Sequence, residues 1–385
     1  MEDLTTRARI ALPSEFRFSE VPSDTRAPSP VPSPSLGPLA AFAGTWKGHG
    51  FNTIFRPDSA TTPTPLPVPV TGSDNVLELN LTSETLTFSP ALGAVPNRGS
   101  SRQADIFLNG VPYLQVVDDV TVPNQKVGIH VEPGLWMVVP PTTHPELGVT
   151  LARMGSIPHG TTINAQGTSS VIKGPPTIPA VDITPRDHHG NKVPFPSQGA
   201  ARSGTAPIPQ DLTAYIAAGT ITQAILDDPN TVLRDAIKGQ KIVSTTQISI
   251  STSPAKPLFG GGADNIAFLM GDPTSAAPNA DVPLMSATFW IETVEHTIEI
   301  PVFTPGQPPL ILHGPAPAVA GLPVRRFLVN PPSPITKPRT ITFTSTQIQY
   351  SQLVMLRFFT LDWPHVSVAT LVPADPIPVP PSAWG

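Results

Sequence analysis

The sequence predicts an all-β fold: one antiparallel β-barrel or half-open barrel over residues 36–373, with long proline-rich loops and a small helical insertion. Three observations predict it. Stretches with apolar residues at every second position recur before residue 168 and after residue 239. Helical spacing is confined to residues 209–238, where Leu212, Tyr215, Ile216, Ile221 and Ile225 recur mostly at three- to five-residue intervals. Strand motifs also stand at opposite ends of the chain, and a barrel brings its first and last strands together.

Taken in order, residues 1–35 read as an extended leader ending in alternating Pro and Ser. Residues 39–42 suit a short helix closing one end of the barrel, and 44–55 the first strand. Trp46 then points inward as a plug, and alternation turns His49 outward. Residues 57–73 form a Pro/Thr loop. In the second strand, 76–88, Leu77, Leu79 and Leu81 alternate with Glu78, Asn80 and Thr82, one face buried and the other wet. Strands at 102–108 and 111–117 are expected to meet in a hairpin at Asn109-Gly110, followed by strands at 125–130, 135–139, 149–154 and 161–165.

From about 168 to 239 the β rhythm breaks. Asp187-His188-His189-Gly190 reads as a solvated turn, because neighbouring histidines rarely point at one ion. The helices of 209–238, interrupted at Pro229, form an insertion of the kind that serves as a lid, a partner surface or a channel wall. Strands resume at 241–252, 265–270, 284–293 and 295–301. Gly260-Gly261-Gly262 lacks the Lys-Ser/Thr of a phosphate loop. Two final strands, 347–359 and 366–372, flank a break at Thr360-Leu-Asp-Trp-Pro364, and His365 stands at the mouth of the second. Residues 374–385 read as an extended tail.

Composition narrows the chemistry. The 385 residues include 52 prolines and 28 glycines, together about a fifth of the chain and under the ~25–30 % of low-complexity sequences. With 39 % hydrophobic residues, this is a folded β-protein with stiff loops. Net charge is −5, the isoelectric point about 6.0 and charged residues 13 %, with no Lys/Arg cluster to hold a phosphate backbone, so nucleic acid is not an expected partner. The neutral surface favours a homo-oligomer. Absence of cysteine excludes disulfides, zinc–thiolate sites, iron–sulfur clusters and thiolate-ligated heme. There is no apolar signal-peptide core near the start and no run of 18 apolar residues, so a cytoplasmic protein without membrane partners is expected. Neither a Gly-x-Ser-x-Gly elbow nor a dinucleotide fingerprint occurs.

Three stretches carry a resemblance. TQIQYSQLVM, a short link and then Pro364-His365-Val-Ser-Val-Ala-Thr-Leu resembles the C-terminal hairpin of the nitrobindins, small antiparallel barrels related to lipocalins and fatty-acid-binding proteins. LGPLAAFAGTWKGHG resembles their opening motif. HVEPGLWMVVP followed by TLARMGSIPHGTTINAQG resembles their middle strands. The chain departs from that family in being more than twice as long, in His49 where an acidic residue is commoner, and in ending its last strand Leu371-Val-Pro373 where an Arg is expected.

The resemblance implies a heme b cofactor with His365 as its axial iron ligand, flanked by Leu353, Met355, Phe358 and Trp46. His130, His159 and His49 are then the candidate catalytic groups beside a small oxidant. The implied activity is peroxynitrite isomerase-like or peroxidase-like, on a small-molecule ligand or oxidant, with room for an organic substrate under the inserted lid. The alternative is a metal-free, lipocalin-like carrier of an apolar small molecule.

Overall fold

A computed structural model describes residues 32–58, 74–122, 124–195, 217–219, 221–265, 280–319, 321–358 and 360–384. Among these, ten long strands close into an antiparallel barrel: β1 (Gly44–Asp58), β2 (Asp74–Phe88), β3 (Ile106–Asp119), β4 (Val127–Val139), β5 (Thr150–Ser156), β6 (Thr162–Lys173), β7 (Lys241–Ser251), β8 (Asp281–Ile300), β9 (Arg339–Phe358) and β10 (Leu361–Pro373). Each pairs with the next, and β10 returns to β1 through eight residue pairs from Trp46↔Pro373 to Thr53↔Val366. Closure leaves the barrel no free edge.

Two glycines make the closing seam possible. A Cβ on Gly48 would stand 1.9 Å from the Thr370 carbonyl oxygen, and one on Gly50 1.9 Å from that of Val368, both far inside van der Waals contact. β1 therefore approaches β10 more closely than any side-chain-bearing residue permits.

The strands run through several expected breaks. Asn109-Gly110 lies within β3, its residues paired with Val138 and Met137 of β4, so no hairpin forms there. Turn propensity is a local preference, and here the ladder to β4 outweighs it, with Leu92 N–H donating to the Gly110 carbonyl from the other side. The expected strands 125–130 and 135–139 are one strand, as are 284–293 and 295–301. β6 runs on past Thr168 to Lys173, because Thr168–Lys173 is laddered to β7. Most of the expected strand 265–270 falls outside the described residues, as do 1–31 of the leader and 209–216 of the expected helical region.

Alternation puts opposite sets of side chains on the two faces of the wall. Inside, at the end capped by a 3-10 helix (Gly37–Phe42), lie Trp46, Leu86, Phe88, Tyr113, Trp136, Phe289 and Ile348. Phe42 plugs this end, stacked on Phe88 at 4.6 Å and edge-on to Trp136 at 5.6 Å, with its carbonyl accepting from Trp46 Nε1 at 2.8 Å.

The outer face carries its own core. Phe51, Phe55, Leu77, Leu79, Val366 and Val368 pack against Ile178, Ile183, Ile221, Ile225, Leu226 and Leu233 of the segment between β6 and β7. That segment holds two short helices, α1 (Gln223–Asp227) and α2 (Thr231–Ala236). Helices this short are marginal alone, and they are held by docking: Leu233 O accepts from Gln349 Nε2 at 3.0 Å, and Asn230 Nδ2 donates to Pro179 O at 2.7 Å. The insertion thus clads the outer wall. None of its described residues lines the barrel cavity.

The C-terminal tail is built in as well. Ile377–Pro378 adds a parallel strand to the pair Leu310–His313 and Arg326–Val329, over a small core of Phe303, Phe327, Ile341, Phe343 and Val379. No helix among the described residues is long and apolar enough to cross a membrane.

The seam generates a test. Gly50→Ala should destabilise the protein by about 1–3 kcal/mol, the usual cost of forcing atoms into a packed site. Gly148→Ala, where an added Cβ meets nothing within 4 Å, should stay within about 0.5 kcal/mol of wild type. Urea denaturation of both variants makes the comparison; equal stabilities would refute the close-approach account.

Candidate functional site

The half of the barrel away from the plug is open and encloses a cavity of about 720 Å³. β2 gives it an unexpected character. Leu77, Leu79 and Leu81 face outward beneath the insertion, so Glu78, Asn80 and Thr82, expected on a wet outer face, line the interior instead. Across the closing seam Asn52 Nδ2 donates to Ser367 Oγ at 2.8 Å, and Asn80 Nδ2 donates to Asn52 Oδ1 at 3.4 Å. The opposite wall is apolar, with Val282 from β8 and Val354, Leu356 and Phe358 from β9.

Three histidines reach this cavity. His365 is the fifth residue of β10, opposite Val354, and not at the strand's mouth as expected. Pro364 is tolerated inside the strand because pairing with β1 has ended by Val366, so no ladder with β1 requires its missing N–H. Burial, followed by the nearby His130, holds the His365 imidazole down to about 4, against a contact to the Thr53 backbone; His159 adds to the depression. The ring is therefore neutral near pH 7. Its Nδ1 is sealed from solvent and makes no full hydrogen bond. His130 and His159 meet edge to face with centroids 5.2 Å apart, and His130 Nε2 lies 3.4 Å from Glu132 Oε2. Burial and then His130 lower the pKa of His159.

The other expected site residues lie elsewhere. His49 is half-buried between its β2 and β10 neighbours and is not a lining residue; burial lowers its pKa, against a hydrogen bond to the Thr82 backbone. Trp46 belongs to the plugged end. Leu353 packs into the outer core, and Met355 shares its strand face, so of the expected flanking residues only Phe358 lines the cavity, beside Val354 and Leu356. Among the described residues no group of three or more His, Asp or Glu is arranged to hold a metal ion.

A network of buried polar groups crosses the barrel between cavity and plug. Arg153 of β5 donates to Glu132 Oε1 from Nη2 at 2.8 Å, to Tyr113 Oη from Nε at 3.0 Å and to Gln352 Oε1 from Nη1 at 2.7 Å. Tyr113 also donates to Glu132. The guanidinium carbon lies 5.5 Å from the ring centroids of Tyr113 and Phe289 and 5.8 Å from that of Trp136. Burial alone would lift the Glu132 carboxyl, but Arg153, with hydrogen bonds from His130 and Tyr113, holds it down to about 2. Glu84 of β2 accepts from Tyr350 Oη at 2.7 Å and from Gln115 Nε2 at 2.9 Å. Burial pushes it up to about 7, against those bonds and the charge on Arg153.

These groups come from five strands, 19 to 266 residues apart in sequence for the bonded pairs, so no local motif announces them. The available signal was the run of polar side chains in phase with Glu84 along β2.

A pH experiment isolates Glu84. A carboxyl raised in the folded state keeps its proton to higher pH than in the unfolded chain, so its contribution is lost as pH rises from about 4.5 through 7. Glu84→Gln cannot ionise. Its stability relative to wild type should grow over that window, by up to about 3 kcal/mol at pH 8. Urea melts of both proteins at pH 4.5 and pH 8 measure the difference, and a pH-independent gap would sink the assignment.

No protein-family model matches the sequence, and no curated protein matches it. Among solved structures, the crystal structure of Rv2717c from M. tuberculosis aligns over 88 % of this chain and 98 % of that chain, at 10 % identity and a TM-score of 0.33. A likeness this slight carries no inference about function.

Proposed function

We propose that the barrel binds heme b in its open half, with His365 as the axial ligand. The observation that carries this reading is a neutral imidazole set in the wall of a cavity of about 720 Å³, within the range of small-molecule and cofactor sites. The residues fit the group in three respects. Iron takes its axial bond from an unprotonated ring nitrogen, and with Nδ1 sealed off, Nε2 is the nitrogen left for it. Val354, Leu356, Phe358 and Ile54 offer apolar surface to a porphyrin face. His130 and His159, in the same cavity, supply hydrogen-bonding groups without a third ligand that would close the site.

When bound, the heme supplies an open coordination position for a diatomic molecule, a peroxide or peroxynitrite. The chain's own contribution is to hold and move protons beside it. His130, steadied by Glu132, and His159, kept largely neutral by burial, can each accept or donate at a ring nitrogen. Together with the likeness of three sequence stretches to nitrobindins, this makes peroxynitrite isomerisation or peroxidase-type turnover the expected reaction class.

A second reading has its own support. The described lining residues include no Lys or Arg to pair with heme propionates, which favours a metal-free carrier of an apolar small molecule.

Spectroscopy separates the two. Hemin added to purified protein should give a shifted Soret band that saturates at one equivalent. His365→Ala should bind hemin at least tenfold more weakly, about 1.4 kcal/mol, and added imidazole should restore part of the spectrum. Alanine at His130 or His159 should retain the band and alter ligand binding or rate. No Soret shift in wild type would leave the carrier reading in its place.

A further inference from the structure

The floor of the cavity has a polarity that the surrounding network dictates. Gln115 Nε2 donates to Glu84 Oε1 at 2.9 Å and to Tyr350 Oη at 3.1 Å, so both amide hydrogens are used. Gln352 Oε1 accepts from Arg153 Nη1 at 2.7 Å. A flip would set Gln352 N–H groups against a guanidinium and, with Glu84 ionised as it is above about pH 7, the Gln115 oxygen against a carboxylate. The remaining ends are thereby fixed: Gln115 keeps a carbonyl oxygen and Gln352 an amide NH₂, and neither bonds to another described residue. Both side chains are more than nine-tenths buried, both line the cavity, and neither end is sealed within protein.

We propose that this pair is a binding subsite for the head of an uncharged carboxamide, primary or secondary, whose apolar body lies along Val354, Leu356 and Ile54. The amide carbonyl of the ligand accepts from Gln352, and its N–H donates to Gln115. An acceptor and a donor in a desolvated floor discriminate strongly, since a ligand lacking either partner leaves a buried polar group unpaired. A carboxylate is rejected. It has no donor for Gln115, Glu84 and Glu132 stand directly behind the pair, and the charge of Arg153 is already matched by Glu132.

The subsite is separate from the proposed iron position. Gln352 pairs with Ser367 and Tyr350 with Ala369, two and four residues deeper along β10 than His365. At a rise of about 3.3 Å per residue the floor lies roughly 7–13 Å below the imidazole. The proposal stands on hemin-free protein, so its failure and that of the heme reading are distinguishable.

Isothermal titration of the full-length, hemin-free protein with hexanamide, 2-heptanone and hexanoate provides the test. 2-Heptanone replaces the amide NH₂ by a methyl group of similar size, and hexanoate replaces it by a charged oxygen. Hexanamide should bind at least tenfold more tightly than either; equal affinity for the ketone, or no binding of hexanamide, overturns the proposal. Gln352→Glu keeps the acceptor that Arg153 needs and removes the donor facing the cavity. It should lose at least tenfold in hexanamide affinity, and an unchanged affinity in a variant melting like wild type would refute the assignment. Should that variant fail to fold, the ligand series on wild type still decides.

Discussion

The interior of this barrel is organised by one buried charge, the Arg153 guanidinium. Taking it and Glu132 out of water is expensive, and the pair is tolerable only because every donor finds a partner or a ring face: Glu132, Tyr113 and Gln352 accept, and three aromatic rings lie within 6 Å. Its position divides the lumen. On one side the aromatic plug packs to interior density around Phe42; on the other, side chains from β1, β2, β9 and β10 leave a cavity. The same cation fixes which end of Gln352 looks into that space, so the recognition properties of the floor follow from a group that does not line it.

Much of the fold was legible, because period-2 alternation survives in nearly every barrel strand and the strand motifs at the two ends demanded closure. What alternation does not encode is which face lies inside. Leu77 and Leu79 look like core residues and are, but of a second core outside the wall; shifting attention by one residue exchanges solvent-facing for cavity-lining positions. Local punctuation misled in the same way. Asn109-Gly110 and Glu132-Pro133-Gly134 carry turn residues, yet they sit in long strands and pair with each other's strand, and that ladder outweighs a local preference.

The histidines were legible individually, and the structure brings His130, His159 and His365 to one cavity while leaving His49 out. Their neighbours were not legible. Leu353 and Met355 were chosen for proximity in sequence to the closing hairpin, but they share the phase of the outer face, and Val354 and Leu356 take their place. The buried network escaped because its members are distributed over β2, β3, β4, β5 and β9 and meet only when the sheet is rolled up.

The seam between β1 and β10 also has a bearing on how the chain acquires its fold. Its partners, such as Asn52 and Ser367, are separated by 315 residues, so the pairing waits until all the intervening strands have been synthesised. Until then β1 and β2 can form a hairpin through fifteen residue pairs, but one whose two faces are both unfinished. Phe51, Leu77 and Leu79 lack the cladding supplied by Ile178, Ile183, Ile221, Ile225, Leu226 and Leu233, and the polar inner face lacks Tyr350 for Glu84 and Ser367 for Asn52. Contacts of this sequence separation slow folding and lengthen the exposure of apolar surface. The early hairpin therefore keeps apolar surface uncovered until its distant partners arrive, and the glycines that permit the final close approach also leave its first strand without side chains at two positions to hold a wrong register.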